Sequence, residues 1–129
     1  MRTTNRCVAL VFTLVLCAGA IGCSKGGRST GGSGGATAEA KQVYDAKCAS
    51  CHGATGRGDG MAATSLPVKP RNYSDKDWQS KTDDAKITKA IIEGGPAVGL
   101  NPTMPPSPEL KTKPEVVKEL VKLIRNFAN

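Results

Sequence analysis

The sequence has little of what enzymes and large hydrophobic cores usually require. Among its 129 residues there is one histidine, His52, and there are two Tyr, two Phe and one Trp. A single histidine excludes a Ser/His/Asp triad and a metal site built from several histidines. So few aromatic side chains leave a modest core, which a bound cofactor would help to fill. These absences point away from an enzyme that works with its side chains alone.

Basic clusters are also missing. The formal net charge is +7, but Arg2, Arg6, Lys25 and Arg28 all precede the first acidic residue, Glu39, and the chain from that residue onward carries only +3. No run of lysine and arginine with interleaved aromatic residues occurs in the chain. We therefore expect no nucleic-acid partner.

Long apolar runs are absent except near the N-terminus, between Val8 and Gly22. That run follows two arginines, is too short to span a bilayer comfortably, and has the length of a signal-peptide core. The small residues before Cys23 resemble a bacterial lipobox, in which the cysteine is lipidated and begins the mature protein. Ordinary cleavage at Ala18-Gly19-Ala20 and an uncleaved anchor are the alternatives. We predict a signal peptide of lipoprotein type over residues 1–22, lipidation of Cys23, and an extracytoplasmic protein tethered to a membrane.

The rest of the chain divides into a linker and one domain. Residues 23–37 are rich in glycine and serine and have almost nothing to bury, so we predict a flexible linker before a domain over residues 38–129. Helical patterns run from Ala38 to Ala49, from Thr82 until Gly94, and from a capping-box pattern at Thr112 onward. The last helix has an apolar face made of Val117, Leu120, Val121, Ile124 and Phe127. No strand pattern occurs, so we predict an all-α fold of three to four helices and irregular loops.

Two of the five cysteines lie in the predicted signal peptide and a third is Cys23. The other two stand in Cys48-Ala49-Ser50-Cys51-His52, and C-x-x-C-H is the attachment sequence of c-type haem. Two thiols at this spacing add to the two vinyl groups of one porphyrin, and the histidine after them lies under the iron as the proximal ligand. Haem attachment of this kind occurs outside the cytoplasm, in agreement with the predicted signal peptide. We therefore predict one covalent haem c, with its iron bound by His52.

Other functions of this motif are less well supported. A thioredoxin-like dithiol needs an alternating β/α pattern, which the sequence lacks. A disulfide between Cys48 and Cys51 would leave His52 unexplained. A zinc site needs about four ligands, and the mature domain offers only two thiols and one imidazole. The single histidine also excludes bis-histidine ligation of the haem and leaves no distal histidine for peroxidase chemistry.

A methionine is the expected sixth ligand in an electron-transfer protein, because its thioether favours the reduced iron. Met104 lies 52 residues after His52, in the proline-rich segment Asn101–Pro106, which can hold a side chain at a fixed depth. Met61 is only nine residues from His52, so it reaches the opposite face of a porphyrin with difficulty. We favour Met104 as the ligand and interpret Met61 as an apolar side chain near the haem edge, with ligation by Met61 as the alternative.

Several motifs occur together in one order: Tyr44, Cys48–Gly53, Gly56–Gly60, Leu66-Pro67 with Pro70, Ile91–Gly95, Met104-Pro105 and Leu120–Arg125. In this combination the chain from Ala38 to Asn129 resembles a class I cytochrome c. The resemblance implies that the first and last helices cross near the haem and that His52 and Met104 are the axial ligands. It also implies that a backbone carbonyl, from Pro67 or Pro70, accepts a hydrogen bond from the His52 ring.

The resemblance further implies reversible Fe(III)/Fe(II) cycling without substrate chemistry. We therefore expect a single-electron carrier, not an enzyme, whose partners are redox proteins and not small-molecule substrates. Lysines near the haem edge would steer partners with acidic surfaces; the candidates are Lys47, Lys69, Lys76, Lys81 and Lys111. Two alternatives stay open. One is the haem subunit through which electrons enter a larger oxidoreductase, and the other is a haem-based ligand sensor with an open sixth site.

Overall fold

The computed structural model of the protein describes residues 33–129. Regular structure in this range is helical throughout and contains no strand, which confirms the all-α prediction. None of these helices combines the length and the apolar character that crossing a membrane requires. The predicted signal peptide, the lipidation site Cys23 and the linker as far as residue 32 lie outside the described residues.

The first helical body has three consecutive pieces: helix α1 (Ser33–Val43), a π-helical segment (Tyr44–Cys48) and helix α2 (Ala49–His52). It therefore begins before Ala38, and residues 33–37, which we assigned to the linker, are helical. Glycine has a low helix propensity, so contacts outside the helix must favour this turn. One such contact is the Thr37 hydroxyl, which donates to the Glu119 carboxylate of the last helix at 3.1 Å.

Two short aspartate-capped helices follow. Asp75 accepts hydrogen bonds from two backbone N–H groups at the start of α3 (Lys76–Lys81). Asp83 caps α4 (Asp84–Glu93) in the same way by accepting from the N–H of Lys86 at 2.7 Å. These side chains satisfy backbone donors that the first helical turn leaves unpaired. The two helices confirm the expected number of helical bodies.

The last helix, α5 (Pro114–Asn126), begins differently from the prediction. The capping box at Thr112 is absent: Lys113 is the N-cap residue and makes no side-chain capping bond. The Thr112 hydroxyl instead donates to the Glu109 carbonyl at 3.2 Å, within the 3-10 turn Pro108–Thr112. Pro114 occupies the first helical turn, where its missing N–H removes no intrahelical bond.

The core lies where α1 and α5 cross, with α4 against them. Tyr44 of the first helical body and Leu120 of α5 are its most deeply buried side chains. The predicted face of α5 is buried at Val117, Leu120, Val121 and Ile124. Ile87 and Ile91 of α4 join the same cluster. Burying each such aliphatic side chain contributes about 1.5–3 kcal/mol, so this crossing is the main stabilising contact of the helical frame.

Candidate haem-binding site

The first helical body ends in the C-x-x-C-H motif. The π-helical segment ends at Cys48, and α2 carries Cys51 and His52. Residues three apart on a helix lie on one face, so the two cysteines share a face of this helical body. Both cysteines are free and half-buried. Burial raises the pKa of the Cys48 thiol to about 11, with Lys47 acting in the opposite direction.

The imidazole of His52 is buried, with 8% of the residue exposed. Its Nδ1 lies 3.1 Å from the carbonyl oxygen of Arg71. A carbonyl only accepts hydrogen bonds, so Nδ1 carries the proton and Nε2 has the free lone pair. Our expectation of a backbone partner is met, but its assignment to Pro67 or Pro70 was wrong. The Pro70 carbonyl lies against Gly58, where a Cβ would meet its oxygen at 2.4 Å, and the next carbonyl faces the histidine.

The second ring nitrogen of His52 also has a partner. The Tyr73 hydroxyl lies 3.1 Å from Nε2, and the two rings are nearly parallel, with centroids 4.5 Å apart. Burial lowers the pKa of His52, and the Arg71 carbonyl opposes this shift. The imidazole is therefore neutral at pH 7, and Nε2 accepts the proton of the Tyr73 hydroxyl. Sequence reasoning treated Tyr73 only as an aromatic residue of the core. No local pattern in the sequence connects Tyr73 with His52, which lies 21 residues earlier.

The loop after His52 folds back onto α2. The N–H groups of Gly58 and Gly60 donate to the carbonyls of His52 and Cys51, at 2.8 and 3.1 Å. These bonds satisfy carbonyls that the end of the helix leaves unpaired. Gly60 has no room for a side chain, because a Cβ would lie 2.3 Å from the Ser50 carbonyl oxygen. This glycine loop (residues 53–60) thus packs closely against the C-x-x-C-H turn.

A side-chain hydrogen bond also joins the first helical body to this loop. The buried hydroxyl of Tyr44 donates to the Gly53 carbonyl at 2.8 Å. The Tyr44 ring also contacts Phe127, with ring centroids 5.3 Å apart. Residues from the N-terminal helix and from the C-terminal end therefore both support the loop that begins at the histidine.

The two candidate methionines differ in exposure. Met61 starts the 3-10 turn Met61–Ser65 and is 91% exposed. Met104 is half-buried, and its carbonyl accepts a hydrogen bond from the N–H of Gly95 at 3.0 Å. A Cβ placed on Gly95 would lie 3.3 Å from the Cβ of Met104, so the methionine packs closely on that glycine. The structure thus gathers Cys48, Cys51 and His52 into one turn and places Met104 on a separate loop at the end of α4.

The donor set suits a covalent haem better than a simple metal ion. Two thiols share one helix face, and Arg71 holds the adjacent imidazole in the tautomer whose Nε2 can bind iron. Within residues 33–129 no three side chains of the Cys, His, Asp and Glu types converge as a metal site. Coordination of iron by Nε2 requires the Tyr73 hydroxyl to move away from that nitrogen.

Comparison with known proteins agrees with this geometry. The sequence model of the family described as Cytochrome c matches residues 37–128. The matched range contains the C-x-x-C-H turn, the glycine loop, Met104 and the four helical bodies except residues 33–36 of α1. Comparison with curated proteins gave no match.

Proposed function

Since the chain belongs to the cytochrome c family, whose members carry a covalently attached haem c, we propose that it is a single-electron carrier with one haem attached at Cys48 and Cys51. The observation that carries this proposal is the fixed tautomer of His52. The Arg71 carbonyl holds Nδ1, and this leaves Nε2 as the donor for iron. When bound, the haem supplies one iron that alternates between Fe(III) and Fe(II).

The residues of the chain have distinct roles in this function. The two thiols on one helix face anchor the porphyrin and fix its position relative to α2. His52 binds the iron from one side, and the hydrogen bond to the Arg71 carbonyl orients its ring and increases its basicity. The closely packed glycine loop helps to keep water from the histidine, of which 8% is exposed.

Met104 is our proposed ligand on the other side of the iron. Its partial burial and its packing on Gly95 support this role, whereas the side chain of Met61 is almost fully exposed. A thioether ligand raises the reduction potential because it favours the reduced iron. With His52 and Met104 as its ligands, the iron would have no site for a substrate, and electrons would pass through the haem edge.

We place this carrier outside the cytoplasm, tethered by a lipid on Cys23, with redox proteins as its partners. Lys69, Lys76, Lys81 and Lys111 are exposed and available to steer acidic partners, while Lys47 pairs with Glu109. A Cys23→Ser variant tests the tether. We expect the mature variant to leave the membrane fraction and to lack the mass of the lipid, and an unchanged distribution and mass would refute the anchor.

Visible spectra of the purified, haem-loaded protein test the ligand set. We expect the oxidised wild type to show the weak long-wavelength band of a thioether on ferric haem. Met104→Ala should lose this band and bind carbon monoxide readily after reduction, because its sixth position is open. Met61→Ala is the matched control and should behave as wild type.

Two results would contradict the proposal at different levels. A wild-type protein without the band, and with ready carbon monoxide binding, would indicate an open iron and favour a ligand sensor. Loss of the band in Met61→Ala but not in Met104→Ala would transfer the ligand role to Met61. Properly matured protein without covalent haem would refute the electron-carrier function altogether.

A further inference from the structure

Tyr73 has an unusual set of contacts for a core residue. Its ring lies parallel to the imidazole of His52, and its hydroxyl is 3.1 Å from Nε2, the nitrogen proposed to bind iron. Trp78 and Phe127 contact the Tyr73 ring from other directions, with centroids 5.4 and 6.3 Å away. Only 6% of the residue is exposed. The hydroxyl is therefore a buried donor whose partner is the proposed ligand itself.

The backbone of Tyr73 is fixed on both sides. Its N–H donates to the Gly56 carbonyl at 2.6 Å, and its carbonyl accepts from the Gln79 side chain at 2.7 Å. The same side-chain NH2 group of Gln79 also donates to the Ile124 carbonyl of α5. Arg125 donates to the side-chain carbonyl oxygen of Gln79 at 2.6 Å. Tyr73 can therefore leave Nε2 only by turning its side chain, because its main chain is held by the helical frame.

We propose that Tyr73 is a positioning residue for haem binding, and that its hydroxyl competes with iron for Nε2 of His52. This inference rests on the proposed ligation of the haem by His52. Iron and the tyrosine hydroxyl both use the lone pair on Nε2, so each must exclude the other. The hydrogen bond stabilises the uncoordinated imidazole, and coordination begins with its loss.

The sign of this effect separates competition from a purely structural role. If Tyr73 only supported the core, removing its hydroxyl would leave haem affinity unchanged or would weaken it. Under competition, Tyr73→Phe keeps the ring but leaves Nε2 without its donor, so the uncoordinated state loses a hydrogen bond. A net hydrogen bond of ordinary strength corresponds to tighter haem binding by roughly threefold to tenfold.

A reversible form of the full chain allows this affinity to be measured. Replacing Cys48 and Cys51 by alanine prevents thioether formation, so a titration with ferric haem followed by the Soret band gives a dissociation constant. In this parent, Tyr73→Phe should bind haem threefold to tenfold more tightly. Tyr44→Phe is the matched control: it also removes a buried tyrosine hydroxyl, but the partner of that hydroxyl is the Gly53 carbonyl and not the histidine. We expect it not to tighten binding.

Failure of this inference and failure of the proposed function give different results. Equal or weaker binding by Tyr73→Phe, with binding lost in His52→Ala, would refute competition and leave the ligand role of His52 intact. Unchanged binding and spectrum in His52→Ala would refute that ligand role.

If the alanine parent does not bind haem, nitrogen-15 NMR of the wild-type full chain before haem attachment gives a second test. Tyr73→Phe should shift the Nε2 resonance of His52 and leave Nδ1 unchanged. A Nε2 resonance that does not move would overturn the inference.

Discussion

Two loops flank the proposed ligands, and they are held in place by different means. The histidine loop (residues 53–73) follows His52 directly and returns to contact both nitrogens of its ring, through Arg71 and Tyr73. Close backbone contacts pack this loop against α2, and glycines make these contacts possible. The methionine loop (residues 94–107) carries Met104 between exposed prolines. It is joined to α4 by the N–H groups of Gly94 and Ser107, which donate to carbonyls of that helix.

The difference concerns which atoms are fixed. The histidine loop fixes a side chain, because the Arg71 carbonyl holds Nδ1 of His52 and thereby sets its tautomer. The methionine loop fixes a main chain, because a thioether has only weak hydrogen-bonding capacity and the stiffness comes from proline. We therefore expect the bond between iron and Met104 to open more easily than the bond between iron and His52.

The largest expected effect is a difference in stability loss between two glycine substitutions, one in each loop. Gly58 and Gly99 both have positive φ, at 73° and 75°. A Cβ on Gly58 would lie 2.4 Å from the Pro70 carbonyl oxygen, whereas nothing lies within 4 Å of a Cβ on Gly99. Gly99→Ala should cost only the left-handed conformation, about 1 kcal/mol, and Gly58→Ala about 3 kcal/mol or more. Urea unfolding of the haem-loaded protein measures both values, and equal losses would contradict the difference in packing.

Removal of Arg125 should loosen one loop and leave the other unchanged. Its side chain is 28% exposed, and its guanidinium donates to Gln79, to the Thr82 carbonyl and to Asp84. We expect Arg125→Ala to reduce the free energy of unfolding by about 2 kcal/mol, because the partly buried oxygens of Gln79 and Thr82 lose a charged donor. Lys118→Ala, which removes an exposed ion pair with Glu115, should cost less than about 0.5 kcal/mol.

Hydrogen exchange shows where the Arg125 effect is located. In Arg125→Ala the amide of Tyr73 should exchange faster, while the amide of Gly95 keeps its wild-type rate. Acceleration of both amides to the same degree would mean that the network supports the whole frame and not the histidine loop.

The wild-type protein should itself show the contrast between the loops. The amides of Gly58 and Tyr73 are buried and bonded at 2.8 and 2.6 Å, whereas Leu100 is 49% exposed and the amide of Met104 is bonded at 3.3 Å. Local openings follow such differences in burial and bonding. We expect the Leu100 and Met104 amides to exchange on the order of tenfold faster than those of Gly58 and Tyr73. Similar rates in both loops would show that the methionine loop is as firmly held as the histidine loop.

The smallest expected effect comes from the proline after the proposed ligand. Pro105 restricts the main chain of Met104, and its replacement by alanine increases the freedom of the unfolded chain. Pro105→Ala should reduce the free energy of unfolding by about 0.4–1 kcal/mol and increase carbon monoxide binding by the reduced protein slightly. Pro108→Ala, in the next turn, is the control and should leave carbon monoxide binding at the wild-type level.

Much of the helical frame could be predicted from local sequence signals. Gly94 ends α4 as expected, because a glycine with positive φ acts within one turn of the chain. The helix begins at Asp84, slightly after the predicted Thr82, with Asp83 as its cap. The apolar face of α5 was also predictable, because helical periodicity places Val117, Leu120 and Ile124 on one side. The turn before α5 was not, because the Thr112 hydroxyl donates to the Glu109 carbonyl of the preceding 3-10 turn instead of accepting from a backbone N–H of α5.

For His52, the type of hydrogen-bond partner could be predicted, but not which residue provides it. The resemblance implied a backbone acceptor for the ring, but the direction of each carbonyl depends on backbone dihedrals that a single sequence does not reveal. This is why Arg71, and not Pro67 or Pro70, is the partner. The contact of Tyr73 with Nε2 joins residues 21 apart across a loop, and no periodicity connects them. The Arg125 network likewise depends on how three helices pack together.

The position of Phe127 has a consequence for the order in which the site is assembled. Its ring lies against Gly56, where a Cβ would be 2.6 Å from the ring edge, and it also contacts Tyr44 and Tyr73. Phe127 follows His52 by 75 residues, so during synthesis the two thiols and the histidine emerge well before the ring that covers their loop. The C-x-x-C-H motif is therefore accessible before Phe127 is made, and its loop is covered only afterwards. A chain truncated just before Phe127 should still acquire its haem but hold it in a looser, more rapidly proteolysed domain.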